Sequence, residues 1–420
     1  MSLILVLEKL AWWEPFWILL LAPFVLFQGR FFPLSWHPFL IGAMFLGWPV
    51  RAVAYHCLSI RSPVNWCIGL LLVWLPVNFW AASDKNLAWE HIGYLCLGVS
   101  FYFALINWPV AQRRPQLIAW IFISMNMGLA LLGPIALAYY PSKLFNLSPM
   151  QHLLQPIATR LGETMHPNIL SGALVITAPL LAAFVLGRNG RQSLLGSVLP
   201  SVGLLFILAI IGLTQSRGGY LGTLVSMGLV VVLIWPRLLY VLLFVVLTVL
   251  AGFYWLGSER LLDVLIANDT LGGLDGRIEL WSRALFALTD FPFTGIGIGT
   301  FQKVVPVLYP YFLLSAENAP HAHNLVLQVG VDLGLPGLVA YLGLLINMFV
   351  MLSFTLRHRN CDPYWRLRAG ALGAMVAMLV HGCLDAVTWG TKLAFIPWVL
   401  FALITLLFLQ TQQVHLTVKE

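Results

Sequence analysis

Long apolar blocks dominate the chain, and short polar segments separate them. Twelve such blocks follow one another, centred near residues 21, 46, 73, 100, 127, 177, 206, 227, 247, 343, 378 and 401. A helix needs about 17 to 25 mostly apolar residues to cross a bilayer, whereas transmembrane β-strands would show alternating segments of about ten residues. The pattern predicts an all-α polytopic membrane protein with about twelve transmembrane helices.

One long polar segment, residues 257–320, separates the ninth block from the tenth. Its 64 residues hold seven of the sixteen carboxylates in the chain. Inside it, residues 277–288 predict a short amphipathic helix at the membrane surface. The apolar face of that helix would consist of Ile278, Trp281, Leu285 and Leu288. The three glycines Gly295, Gly297 and Gly299 then predict a turn.

A smaller polar loop, residues 140–167, is expected to lie on the same side of the membrane and to face the larger one. We therefore predict one membrane domain over residues 1–420, with two loops outside the cytoplasm. The first apolar block follows charged residues and has no small-residue cleavage site after it, so it is expected to be a membrane span and not a cleaved signal.

Composition excludes an ordinary soluble domain. Hydrophobic residues make up 60% of the chain and charged residues 9%, against about 25% charged residues in soluble domains, and the mean hydropathy is +0.88. The net charge of +7 reflects basic residues in short loops between blocks, so membrane topology explains it better than a nucleic-acid partner.

The basic residues predict the orientation of the chain. With both termini in the cytoplasm, thirteen Lys and Arg fall in cytoplasmic segments, including the loops assigned to Arg51 and Arg368, and six fall in short outer segments. This ratio fits the excess of positive charge that cytoplasmic loops carry. An even number of spans then places residues 257–320 outside the cytoplasm.

Two arginines are candidates for binding an anion. Arg217 lies between two apolar blocks, after Ser216 and before Gly218 and Gly219, where a ligand could approach the backbone. A charge at this position is a functional hypothesis, weighed against an arginine that snorkels to the headgroups. Arg277 begins the predicted amphipathic helix, where anions are favoured, although surface charges such as Glu279 and Arg283 at i, i+4 are common there.

The histidines of residues 320–324 are candidates for proton transfer. A metal site at His321 and His323 is disfavoured, because the outer loops offer no convincing acidic or cysteine third ligand. An imidazole with an ordinary pKa of about 6.5 suits a general base. His381 and Asp385, at i and i+4 of the eleventh block, are expected to form a buried hydrogen-bonded pair, and His166 is expected to be a solvated loop residue.

These motifs resemble the O-antigen ligase family, within the superfamily of O-antigen ligases and polymerases. The most specific match is His323-Asn324 followed by spaced Gly334 and Gly337. The resemblance extends in order over Ser216-Arg217-Gly218, Gly276-Arg277 with Trp281, Gly295 to Phe301, and His166-Pro167-Asn168.

The resemblance implies a metal-independent, inverting glycosyltransferase with a GT-C-like helical architecture and no cofactor. It would move a glycan from undecaprenyl diphosphate to an acceptor hydroxyl, such as a sugar of lipid A-core in lipopolysaccharide biosynthesis. It would act at the periplasmic face of the bacterial inner membrane, among membrane lipids. His323 matches the family's catalytic base, and Arg217 and Arg277 match its diphosphate-binding arginines. The expected accessory residues are His321, Asn324, Ser216 and Arg160.

Two other functions stay open. A polymerase of the same superfamily would need the same arginines and base, and would differ in its acceptor. Some cyanobacterial proteins with a similar histidine motif are named bicarbonate transporters. A transporter should place its polar groups near the bilayer midplane, at broken helices, whereas here they gather at the outer face. A structural scaffold, finally, would not need an arginine fixed between two spans.

Overall fold

The computed structural model describes residues 3–29, 31–138, 165–186, 194–256, 273–314, 319–357 and 364–417, together with residues 149, 154, 156 and 157. Helix makes up 79% of the structure, and β-structure among the described residues is limited to two isolated bridges. The prediction of an all-α fold is therefore confirmed. The loop predicted at residues 140–167 lies almost wholly outside the described residues, as does the first part of the larger loop, residues 257–272.

Eighteen α-helices cover the described chain. A single 3₁₀ turn, Leu34–Trp36, precedes the third. In order, the α-helices are α1 Leu3–Trp12, α2 Glu14–Leu26, α3 His37–Met44, α4 Gly47–Tyr55, α5 Asn65–Ala81, α6 Lys85–Asn107, α7 Pro109–Arg113, α8 Pro115–Ala136, α9 Pro167–Leu174, α10 Thr177–Leu186, α11 Leu194–Thr214, α12 Arg217–Ile234, α13 Leu238–Leu256, α14 Gly273–Asp290, α15 Phe301–Leu308, α16 Leu325–Leu356, α17 Trp365–Gly382 and α18 Ile396–Thr417.

Several of these helices suit a membrane. Six helical segments are long and apolar enough to span one: Leu34–Tyr55, Lys85–Asn107, Pro115–Ala136, Pro167–Leu186, Arg217–Ile234 and Leu325–Leu356. Helices α2, α5, α11, α13 and α18 contain shorter apolar stretches. Eleven of the twelve predicted centres lie inside helices, and the centre at residue 46 falls in the break between α3 and α4. The number of spans and their orientation stay predictions.

Small residues bring α17 close to its neighbours. This helix packs against α10 and α12, and a Cβ on Gly370 would lie 2.7 Å from the Cβ of Ala183, while one on Gly373 would lie 2.6 Å from Val230. Close backbone approach of this kind is typical of helices in membranes. It fixes the end of α17, which carries the site described below.

A break at Gly334 divides α16. Gly334 has φ +70° inside the helix, and a Cβ there would lie 2.3 Å from the carbonyl oxygen of Phe293. Reciprocally, a Cβ on Gly295, whose φ is +65°, would lie 2.4 Å from the carbonyl oxygen of Asp332. Only glycine fits two positions that combine positive φ with such close contact. The predicted glycine turn is therefore present, and it packs into the break of α16.

The helix predicted at residues 277–288 is α14, but the face that packs against the rest of the protein is not the predicted apolar face. Leu280, Ala284 and Ala287 are fully buried, whereas Ile278 and Leu285 are half exposed. The sequence did not indicate this buried face, because two of its three residues are alanines, which are only weakly hydrophobic. Whether the exposed apolar stripe meets the membrane stays a prediction.

Two arginines assigned to cytoplasmic loops lie in helices instead. Arg51, in α4, is 2% exposed and forms a buried ion pair with Glu14, while its Nε donates to the Leu58 carbonyl at 2.7 Å. Arg368, in α17, is 2% exposed and donates to the Leu407 carbonyl at 3.0 Å. Both guanidinium groups thus contact oxygen atoms of other segments of the chain, and the loop assignment from charge alone was wrong for them.

Candidate active site

The loop that carries His321 and His323 leads directly into α16. Asn324 caps this helix, its Oδ1 accepting from the Leu327 N–H at 3.1 Å, and the Ala322 N–H donates to Oε1 of Gln328 at 2.7 Å. His323 adopts φ +47°, a conformation that non-glycine residues rarely adopt. The two hydrogen bonds from α16 thus hold the histidine loop in an unusual backbone shape.

Asp385 meets both histidines from the far side of the site. It follows the end of α17 and is 3% exposed. Its Oδ1 lies 3.4 Å from Nε2 of His321, and its Oδ2 lies 3.5 Å from Nδ1 of His323. The side-chain amide of Asn168, at the start of α9, donates to Oδ2 at 2.7 Å, and the Ala386 N–H donates to Oδ1 at 2.8 Å.

Three predictions about these polar residues were wrong. Asp385 lies beyond the helix of His381, and its carboxylate contacts other residues, so the two do not form the expected pair. Nε2 of His381 has no hydrogen-bond partner among the described residues. The expectation that His321 and His323 have no acidic partner was also wrong, because the segment after α17 brings Asp385 to them. His166 is half-buried and caps α9, its Nδ1 accepting from the Asn168 N–H at 3.3 Å.

The hydrogen bond between the two histidines fixes the tautomer of His321. The backbone N–H of His323 donates to Nδ1 of His321 at 3.2 Å, so Nδ1 is unprotonated and the proton of neutral His321 is on Nε2. That N–H faces Asp385. The ring centroids of the two histidines are 4.1 Å apart, so His321 also packs against the ring that it orients.

His321, His323 and Asp385 could at first sight hold a metal ion, since their ligand atoms lie within 4.8 Å of one another. Nε2 of His321 carries a proton in this arrangement, however, and a protonated ring nitrogen has no lone pair for a metal. His323 and Asp385 alone fall short of the three protein ligands of a catalytic zinc site. The arrangement therefore fits a carboxylate with two hydrogen-bonded imidazoles better than a metal centre.

The charge state of the cluster follows from burial and neighbours. Burial and the adjacent His323 lower the pKa of His321 to about 3, which makes His321 neutral at pH 7. Burial opposes ionisation of Asp385, but the imidazoles of His321 and His323 hold the pKa of that carboxyl below its ordinary range. The N–H donors of Asn168 and Ala386 also favour the carboxylate form.

His323 is the side chain with an available base. Its Nε2 is buried and has no hydrogen-bond partner among the described residues. Its Nδ1 would form a hydrogen bond with Asp385 after a shift of about 0.5 Å. With Nδ1 protonated toward the carboxylate, Nε2 is left with a lone pair that can accept a proton.

Both predicted anion-binding arginines lie in the first turns of helices. Arg217 is the first residue of α12, whose N-cap Ser216 accepts from the Gly219 N–H at 3.3 Å. A Cβ on Gly218 would lie 3.5 Å from the His381 ring. Arg277 lies in the first turns of α14 and interacts electrostatically with His381. His381 therefore lies next to the start of α12 and within electrostatic range of Arg277.

The remaining accessory residues have mixed outcomes. Asn324 caps α16, and its side-chain amide also donates to the Cys383 carbonyl at 3.3 Å, which ties the histidine loop to the segment of Asp385. Ser216 is a helix cap. Arg160 lies outside the described residues. No spacing in the sequence links Asp385 or Asn168 to His323, and the order of the chain alone could not have identified them as its neighbours.

A family model described as O-antigen ligase matches residues 202–342. The match covers about a third of the chain and supports membership of the O-antigen ligase family. The resemblance inferred from the motifs is thereby confirmed, and the matched segment contains Arg217, Arg277 and His323. Asn168 and Asp385, which complete the cluster, lie outside the matched segment. A comparison with curated proteins finds no significant match.

Proposed function

We propose that this protein is a glycosyltransferase of the O-antigen ligase type. It moves a glycan from undecaprenyl diphosphate to an acceptor hydroxyl, with a sugar of lipid A-core as the acceptor, at the periplasmic face of the bacterial inner membrane. The observation that carries the proposal is the contact between His323 and buried Asp385, together with a family match that spans His323, Arg217 and Arg277.

The proposed reaction uses each group once. Nε2 of His323 removes the proton from the acceptor hydroxyl as its oxygen attacks the anomeric carbon and inverts it. The bond from that carbon to the diphosphate oxygen breaks, and its electron pair leaves with the diphosphate. Arg217 and Arg277 stabilise the negative charge that accumulates there. Asp385 stabilises the imidazolium, and general-base assistance of this kind contributes about 10² to 10⁴ in rate.

Glycan transfer by the purified protein tests this proposal. His323→Ala should reduce transfer from carrier to acceptor by about 10² to 10⁴, while carrier binding stays intact because the arginines are unchanged. His56→Asn is the matched control, since His56 ends α4 outside the cluster and asparagine tolerates its left-handed backbone. Transfer by His323→Ala at the wild-type rate would refute His323 as the base.

The same assay separates the rival functions. A polymerase would join two carrier-linked repeats in the absence of lipid A-core, so the products formed with defined acceptors distinguish it from a ligase. For a transporter, the break in α16 would be the expected hallmark. That break is packed against the backbone of Phe293 and Gly295, which favours the enzyme.

A further inference from the structure

A buried carboxylate outside the catalytic cluster connects its two halves. Asp332, on α16, is 1% exposed. Its Oδ1 accepts from Nε2 of Gln328 at 2.9 Å, and its Oδ2 accepts from Nε1 of Trp389 at 2.9 Å. Its backbone carbonyl accepts a further hydrogen bond from the side-chain amide of Asn78. One carboxylate oxygen therefore contacts the preceding turn of α16, and the other contacts the segment after α17.

The Gln328 arm reaches the histidine loop. The amide of Gln328 points its nitrogen at Asp332, which leaves its oxygen to accept from the Ala322 N–H at 2.7 Å. Ala322 lies between His321 and His323 and is fully buried. Asp332 therefore fixes the orientation of the Gln328 amide. Among the described residues, the bond from Ala322 to Gln328 is the only hydrogen bond between α16 and the backbone that separates the two histidines.

The Trp389 arm reaches the other half of the cluster. Trp389 lies four residues after Asp385, and its backbone N–H donates to the Ala386 carbonyl at 3.1 Å. The indole N–H of Trp389 is instead directed to Asp332. Asp332 thus anchors the segment that presents Asp385 as well as the loop that presents His323.

We propose that Asp332 is a positioning residue, which aligns Asp385 with His323 through Trp389 and Gln328. This inference rests on the proposed function for its kinetic consequence. The hydrogen bonds of the Asp332 carboxylate lead to Gln328 and Trp389, so we expect their loss to lower the rate of proton transfer and to leave recognition of the diphosphate unchanged.

An exchange of two side chains tests the network. In Asp332→Asn, the new amide group faces either the amide of Gln328 or the indole N–H, and one hydrogen bond is lost whichever way each amide turns. In the double variant Asp332→Asn/Gln328→Glu, the asparagine donates to the glutamate, the glutamate accepts from Ala322, and the asparagine oxygen accepts from Trp389. All three hydrogen bonds are restored with the same net charge.

The expected result is a loss in kcat that the second change repairs. Asp332→Asn should lower kcat about tenfold or more, a part of the 10² to 10⁴ that a positioned base contributes, with KM for the carrier unchanged. The double variant should recover most of that loss. Thr355→Val is the matched control, because it removes a buried hydrogen bond at the other end of α16 and should leave kcat unchanged.

Hydrogen–deuterium exchange at the Ala322 amide provides a readout independent of activity. Exchange at the Ala322 amide or at the indole N–H of Trp389, whichever has lost its hydrogen bond, should be slow in the wild type, faster in Asp332→Asn and slow again in the double variant. Full activity of Asp332→Asn, or a double variant as impaired as the single one, would overturn the inference. If the wild type transfers no glycan, the proposed function fails, and the exchange rates alone decide whether Asp332 positions the loop.

Discussion

Replacing Asp385 by asparagine tests the carboxylate that orients the proposed base. In Asp385→Asn, an NH₂ group replaces one of the two carboxylate oxygens, either the one near His321 or the one near His323. If it faces His323, Nδ1 must accept and the ring proton moves to Nε2, where it blocks base catalysis. The variant also loses the negative charge that stabilises the imidazolium formed during transfer.

The separation in the structure gives the size of the effect. Two unit charges 3.5 Å apart, the distance from Nδ1 of His323 to Oδ2 of Asp385, interact by about 5 kcal/mol at an effective dielectric constant of about 20. At about 1.4 kcal/mol for each factor of ten, this corresponds to a loss of about 10³ in kcat. The loss lies within the range of about 10² to 10⁴ attributed to general-base catalysis.

The assay is steady-state glycan transfer by the purified variant, with kcat and KM for the carrier determined separately. We expect kcat to fall about 10³-fold and KM to change little. Asp290→Asn is a suitable control, because Asp290 is an exposed carboxylate at the end of α14. A kcat for Asp385→Asn within a few-fold of the wild type would refute the role of Asp385.

Further predictions concern the diphosphate site, the break in α16 and the response to acid. Arg217→Lys should raise KM for the carrier, because a point charge cannot replace the two parallel hydrogen bonds of a guanidinium; unchanged carrier affinity would remove Arg217 from the site. Gly334→Ala should lower the free energy of unfolding by about 1 to 3 kcal/mol, measured against Gly128→Ala, where a Cβ meets open space. Because the pKa of His321 is lowered to about 3, the unfolded chain binds a proton between that pH and about 6.5 that the folded chain does not. The contribution of His321 to the free energy of unfolding should be complete above pH 6.5 and decrease as the pH falls from 6.5 to about 3. In His321→Gln, the midpoint of thermal unfolding should depend less on pH over this range.

The sequence predicted the parts of this protein that depend on local pattern. Apolar blocks predict helices because backbone groups in lipid must hydrogen-bond within the segment, and nearly all predicted centres lie in helices. Arg217 and His323 were identifiable because each is a polar residue where an apolar block begins. Gly334 and Gly337 were identifiable by spacing, but the reason for Gly334, its contact with Phe293, needed the fold.

Contacts between distant segments were not predictable in the same way. Asp385 lies 62 positions after His323 in the sequence, and His381, four residues before Asp385, was a simpler but incorrect partner. Arg51 was assigned to a loop because charge counting ignores Glu14, which reaches it from another helix. The face through which α14 packs against the protein was not evident from the sequence, because two of its fully buried residues are alanines, which give only a weak hydrophobic signal.

Reconstitution of the purified protein in proteoliposomes tests the central claim most directly. One preparation would be assayed both for glycan transfer from undecaprenyl diphosphate to lipid A-core and for bicarbonate uptake. We predict carrier-dependent transfer by the wild type, loss of that transfer in His323→Ala, and no bicarbonate uptake by either. Bicarbonate uptake without glycan transfer by the wild-type protein would contradict the proposed function.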